Sequence, residues 1–298
     1  ISSFAIKKNV DRFTMKRILF FQILFYKLTK CRMIKGVFIM KKMLFVGLLF
    51  SAVFGVFALD TTLIEQEILR LVNKQRVDNS LIPLQQDEQL QNCAREHSAD
   101  MLANTKLSHV SKGKLPAERV RIASPKLFFG VFENIAYCKG ENETEIAETL
   151  VNAWMNSEGH KKNILAADTN FTGIGVSAPS ADNIYYVTQL MTDSVATLAS
   201  DIPADVTAGS DVTLKCNFLG SFDKNNLVVF ATFPDSEAKF MLEDGKSYYA
   251  GCGVITPKWL DDKTFEITIP CKYGTGEYKL YMGKNQQYYP DYVTFSVK

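Results

Sequence analysis

The sequence is poor in the residues and signatures on which much enzyme chemistry depends. Only three of its 298 residues are histidine and two are tryptophan. It contains no G-x-S-x-G, no H-E-x-x-H and no phosphate-binding glycine loop. These absences argue against a nucleophile-elbow hydrolase, a zincin and a P-loop enzyme. There is no C-x-x-C and no Cys/His finger spacing, so a structural zinc site is not expected. No apolar run reaches the ~20 residues that a spanning helix needs. The longest candidate, after Met40-Lys41-Lys42, is about 15 residues by the same yardstick. Repeats and low-complexity tracts are also missing.

What is present is unevenly distributed. Residues 1–58 carry 11 Lys+Arg against the single acid Asp11. The rest of the chain then has 23 basic and 31 acidic residues, a net charge of −8. A body of that charge is a poor partner for phosphate backbones, so nucleic-acid binding is not expected. The basic start, the apolar run Met43–Phe57 and the small-residue pattern Val56-Phe57-Ala58 form the layout of a secretory signal over 40–58. This predicts a secreted protein, attached to a membrane only if that signal stays uncleaved. Residues 1–39 mix Lys/Arg with Phe, Ile and Leu without caps or turns, and are expected to be upstream sequence outside the protein proper. Five cysteines follow the signal: Cys93, Cys138, Cys216, Cys252 and Cys271. A secreted setting favours disulfides, and Cys93–Cys138 is the expected pair in the first half. Two triplets of the N-glycosylation type are present, Asn142-Glu143-Thr144 and Asn170-Phe171-Thr172.

The pattern after the signal divides in two. Apolar spacing predicts helices over 61–79, 87–104 and 144–157, with Thr62 and Glu65 as a capping box on the first. His97 falls on the apolar face of the second helix and is expected to be a satisfied core residue. Residues 105–143 are punctuated by Gly113, Pro116, Pro125, Gly130 and Gly140 and read as a long functional loop. Two strands follow, near 171–178 and 183–191. Beyond them come a linker and seven short strand-like runs with no helix, which predict a β-sandwich. The expected organisation is a first domain over 59–193, a linker over 194–205 and a sandwich over 206–298. Gly274-Thr275-Gly276-Glu277-Tyr278 resembles the tyrosine corner of immunoglobulin-like domains. Leu280 stands where such a domain has its second cysteine.

The chemistry concentrates between His109 and Asn163. His109, Glu133 and His160 could meet in one cleft and bind Zn²⁺ or another divalent ion, with Glu133 as a general base. Spacing alone favours a plainer reading, in which Glu133 orders the loop and the histidines donate to carbonyls.

Five ordered motifs bear on that choice. They are Leu107-Ser108-His109, Phe132-Glu133-Asn134-Ile135-Ala136, Trp154-x-x-Ser157-x-Gly159-His160-Lys161-Lys162-Asn163-Ile164-Leu165, Gly173-Ile174-Gly175-Val176 and Tyr185-Tyr186-Val187-Thr188-Gln189. Together they resemble the CAP superfamily, also called the SCP domain, in its microbial form. The resemblance implies an α-β-α sandwich with a central cleft, which with the all-β, immunoglobulin-like sandwich read from the strands gives an α+β chain. It implies that His109, Glu133 and His160 line the cleft, with metal at His109 and His160. The family's second glutamate is not matched. Ser157 stands three residues after the tryptophan, where it reads as a cap or loop hydrogen-bonder. Glu158 is one residue further, about 100° around a helix. Glu158 is therefore a substitute cleft residue at most, Gln189 a candidate from the last strand, and Asn134 a structural tie. The incomplete set favours a non-catalytic extracellular module that binds a sterol, a fatty acid, a metal or a cell-surface ligand. A zinc hydrolase and a structural surface protein are the alternatives.

Overall fold

The computed structural model describes residues 59–178, 183–242 and 244–298. The signal over 40–58 and the stretch 1–39 lie outside the described residues. Among the described residues the first half has five helices: α1 (Thr61–Asp78), α2 (Glu88–Asn104), α3 (Pro116–Ala123), α4 (Glu143–Met155) and α5 (Glu158–Ile164). Its strands are β1 (Gln85–Gln86), β2 (Leu127–Lys139), β3 (Phe171–Ser177) and β4 (Ile184–Leu198). β4 is central, with β2 antiparallel on one side and β3 antiparallel on the other. Helices α1 and α4 cover one face of this sheet, burying Ile64, Ile68, Val72, Ile146, Leu150 and Trp154 against Val187 and Met191. Helices α2 and α3 cover the other, burying Leu90, Cys93, Ala94 and Val120 against Phe129 and Leu190. This is the expected α-β-α sandwich. Gly173 and Gly175 permit its closest contact. A Cβ on either would stand 2.1 Å from the backbone of α2. The helix can rest on β3 only because both positions lack a side chain.

Several local expectations are corrected. The α1 cap is Asp60, whose Oδ1 accepts the Thr62 N–H at 2.8 Å. Glu65 instead turns inward and is buried, accepting from Arg95, Gln91 and the Val176 N–H. The stretch 105–143 is not one long loop. Pro116 opens α3 at a position where a missing N–H costs nothing, and Glu118 accepts from the Leu115 N–H. Gly130 is an ordinary strand residue of the 13-residue β2, kept small because the Tyr289 ring lies 2.8 Å from where its Cβ would be. The Cys93–Cys138 bridge is absent, and all five cysteines after the signal are free. The two residues pack on opposite faces of the sheet, Cys93 on the buried side of α2 and Cys138 on β2 towards α4.

The second half is all β: β5 (Asp211–Phe218), β6 (Leu227–Thr232), β7 (Lys239–Met241), β8 (Tyr248–Ala250), β9 (Cys252–Val254), β10 (Lys258–Trp259), β11 (Thr264–Pro270), β12 (Gly276–Lys284), β13 (Gln287–Tyr288) and β14 (Val293–Val297). β5, β11 and β10 face a second sheet of β13, β12, β6 and β9, with β14 on β12. The predicted corner is present: the Tyr278 hydroxyl accepts the Tyr273 N–H and donates to the Gly274 carbonyl. Leu280, in the place of a second cysteine, is buried in the core. The expected linker is not a separate segment at its start. β4 runs on to Leu198 and pairs with β5 through Ala196–Leu198, so one sheet passes from the first half into the sandwich. The junction holds a buried carboxylate, Asp193, bonded to Lys284 at 2.5 Å and to the Tyr289 hydroxyl. Asn170 closes the corner beside it, donating to the carbonyls of Ser194 and Leu219.

Candidate functional site

The site forms at the free edge of β2, where α2, α3 and α5 converge. The alternating side chains of β2 divide the work. Glu133 points to the α2 face and Asn134 to the α4 face, next to their partners Leu190 and Gln189 on β4. The Glu133 side chain is 2% exposed. Its Oε1 accepts from His109 Nδ1 at 2.7 Å and its Oε2 from Arg119 Nη2 at 2.6 Å. His97 Nδ1, from α2, lies 3.2 Å from the same Oε2. Both oxygens are thus engaged. Burial alone would raise the Glu133 pKa, but the His97 hydrogen bond and the Arg119 charge outweigh it, and the carboxyl sits below the ordinary glutamate range.

Asparagines fix the other wall. Asn163, in α5, donates to the Asn134 Oδ1 at 2.9 Å and to the Glu133 carbonyl at 3.3 Å. Asn134 Nδ2 donates to the His160 carbonyl and to Gln189 Oε1, each at 3.2 Å. These bonds pin α5 to β2 and set the position of His160. Arg76 secures the far end of α5 from within the core, donating to the carbonyls of Ile164, Ala166, Thr169 and Ile82. His160 has a pKa below the usual histidine value, because of burial first and then the charge of His109, which is close enough to be felt.

The structure therefore brings together His109, Glu133 and His160, and sets Asn134 in the structural role expected of it. It separates the other two candidates. Glu158 is exposed in the first turn of α5, and its carboxylate has no hydrogen bond among the described residues. Gln189 is completely buried behind Asn134, so it supports the site without lining it. Two contributors were not anticipated. His97 is a core residue, as its helical face implied, but it also underpins Glu133 and donates Nε2–H to the Ser108 carbonyl at 2.8 Å. Arg119 lay in what read as loop, and only the Pro116 start of α3 could have signalled it. Among the described residues no group of three or more His, Cys, Asp or Glu side chains is arranged to hold a metal. With Glu133 engaged by His109 and Arg119, the imidazoles of His109 and His160 are the remaining nitrogen donors at this edge.

The asparagines of both glycosylation-type triplets have structural work: Asn142 caps α4 through the Glu145 N–H, and Asn170 closes the inter-sheet corner. Ser157 occupies the N-cap of α5 but makes no side-chain cap bond.

An α-β-α sandwich with paired histidines over a buried glutamate at a strand edge is the architecture expected of the CAP class. Residues 69–191 match the family model described as the Cysteine-rich secretory protein family, and the domain they build belongs to it. Among curated relatives, the chain is 38% identical over 127 residues to the Bacillus subtilis protein YkwD, covering 41% of this chain and 44% of that one. It is 37% identical over 123 residues to the membrane protein YlbC of the same organism, covering 41% and 32%. The chain thus spans less than half the length of either relative. Among solved structures, an extracellular SCP-domain protein from Bacillus anthracis is 32% identical, with a TM-score of 0.36, covering 43% of this chain and 39% of that one. An outer surface protein of Borrelia burgdorferi is 23% identical with a TM-score of 0.41, covering 46% and 96%.

Proposed function

We propose that this protein is an extracellular binding module that holds its ligand at the His109/His160 cleft without catalysing a reaction. The observation that carries the reading is the state of Glu133. A general base needs a pKa near the working pH and access to the proton it takes. Glu133 has donors on both oxygens and a lowered pKa. It suits the orientation of His109, as outer-shell carboxylates orient metal-bound histidines. A divalent ion at His109 and His160 would supply a Lewis-acid centre. His109 would offer Nε2, and the lowered pKa of His160 keeps its ring neutral and able to ligate. Leu107 and Val110, exposed on either side of His109, suit a ligand with apolar surface such as a sterol or fatty acid. The signal layout over 40–58 supports secretion.

The test is calorimetric titration of Zn²⁺ into the protein and into His109→Ala and His160→Ala, with sterol and fatty-acid binding assayed on the same samples. Metal binding should disappear in both variants. Unchanged metal binding in both, or hydrolytic activity lost specifically in Glu133→Gln, would contradict the proposal.

A further inference from the structure

Behind the cleft, between α2 and α3, lies a cavity of about 450 Å³ that the cleft residues His109 and His160 do not line. Its volume falls within the range of small-molecule sites. Cys93 and Ala123 give it an apolar floor, with the exposed Ile122 at its rim. Its charged wall is Arg119, Lys112 and Lys114 against the single acid Glu96. The Arg119 side chain is 9% exposed and commits one nitrogen, Nη2, to Glu133 and the His109 carbonyl. Its Nε and Nη1 are buried and have no hydrogen-bond partner among the described residues. A buried cation with unpartnered donors is costly unless something accepts from it. The lysines are brought to the rim by a two-residue turn, closed by Ser111 N–H to the Lys114 carbonyl and Lys114 N–H to the Ser111 carbonyl. Lys112 and Gly113 both have positive φ, 48° and 77°. Such a turn favours asparagine or glycine at its first position, and here a lysine occupies it. The Ser111 hydroxyl anchors the turn to α2 through Asp100 at 2.6 Å.

We propose that this cavity binds a small organic anion, a carboxylate or phosphate carried on a short apolar body. The anion meets the field of Arg119, Lys112 and Lys114, and the apolar body packs on Cys93, Ile122 and Ala123. The site is independent of any metal at the cleft, so its test stands whether or not the cleft proposal survives.

The experiment is a titration followed by NMR, with benzoate, phenyl phosphate and neutral benzamide as probes. The Arg119 Nε–H and the Cys93 amide should shift and saturate with at least one of the two anions, and which one responds identifies the head group. Benzamide should bind at least about tenfold more weakly, because it offers Arg119 a neutral acceptor in place of a charged one. Arg119→Ala would strip Glu133 of its partner and risk the fold, so the variant is Lys112→Gln with Lys114→Gln. It leaves Arg119 in place and should weaken the anion roughly fivefold, as expected of two solvent-exposed charges. No saturable shift with either anion, equal binding of benzamide, or an affinity indifferent to the lysine variant would overturn the proposal.

Discussion

Replacing Glu133 by glutamine tests how the site is held together. The substitution keeps the shape and one acceptor oxygen, and removes the charge. Two donors converge on that carboxylate, His109 at 2.7 Å and Arg119 at 2.6 Å, and His97 Nδ1 lies 3.2 Å from it. Glutamine would leave Arg119, nine-tenths buried, as a cation without its counter-charge. Removing one partner of a buried pair costs about 3–5 kcal/mol. The retained acceptor brings the expected loss to about 2 kcal/mol, since a hydrogen bond from a charged donor is worth roughly 1.5–3 kcal/mol. For a folded unit of this size that lowers Tm by roughly 4–8 °C. The loss should depend on pH in a defined sense. The folded Glu133 pKa is depressed, so its contribution is fully present above the unfolded value of about 4.3 and fades as pH falls through the folded value. Urea unfolding of the parent and Glu133→Gln should therefore show a constant gap above about pH 5, narrowing at lower pH. A gap below about 0.5 kcal/mol at pH 7, the size expected of an exposed pair, would refute the buried-network reasoning.

Other outcomes follow from the same structure. Asn134→Ala and Asn163→Ala should each cost about 1–2 kcal/mol by denaturant unfolding, and the double variant less than the sum, because they share a bond. Gly175→Ala should cost about 3 kcal/mol or more, since its Cβ would meet α2 backbone at 2.1 Å rather than a movable side-chain tip. Scanning calorimetry of the protein should give one cooperative transition, because β4 belongs to both halves; two well-separated transitions would contradict the continuous sheet. Asp193→Ala should destabilise the protein by about 2–3 kcal/mol, leaving Lys284 and Tyr289 without their shared acceptor, while a loss confined to the sandwich would show that the junction is not shared.

The helices α1, α2 and α4 were legible because their apolar faces repeat at helical spacing, and the sandwich strands because they alternate; the α-β-α layering came from the family resemblance. What was not legible has common physical causes. Pro116 and Gly130 read as breakers, yet one starts a helix and the other makes room for the Tyr289 ring, a contact 159 positions away along the chain. The extension of β4 through Ser194–Leu198 was read as linker despite the strand formers Val195 and Thr197, because the small residues, acids and Pro203 that follow outweighed them; pairing with β2 and β5 buries four of the five. At the site, the ordered motifs pointed to His109, Glu133 and His160. They could not show that both Glu133 oxygens were already engaged, because Arg119 and His97 reach it from elements whose orientation only packing decides. Glu158 failed for the reason its spacing gave, being exposed at the start of α5.

The most direct measurement is the titration of Glu133 itself, followed by the ¹³C shift of its carboxyl carbon in the folded protein. A carboxylate locked by His109, His97 and Arg119 should stay ionised to below the ordinary glutamate value of about 4.3. A carboxyl that instead titrates between about pH 5 and 7, where a general acid or base would be tuned, would contradict the account and return Glu133 to the catalytic reading.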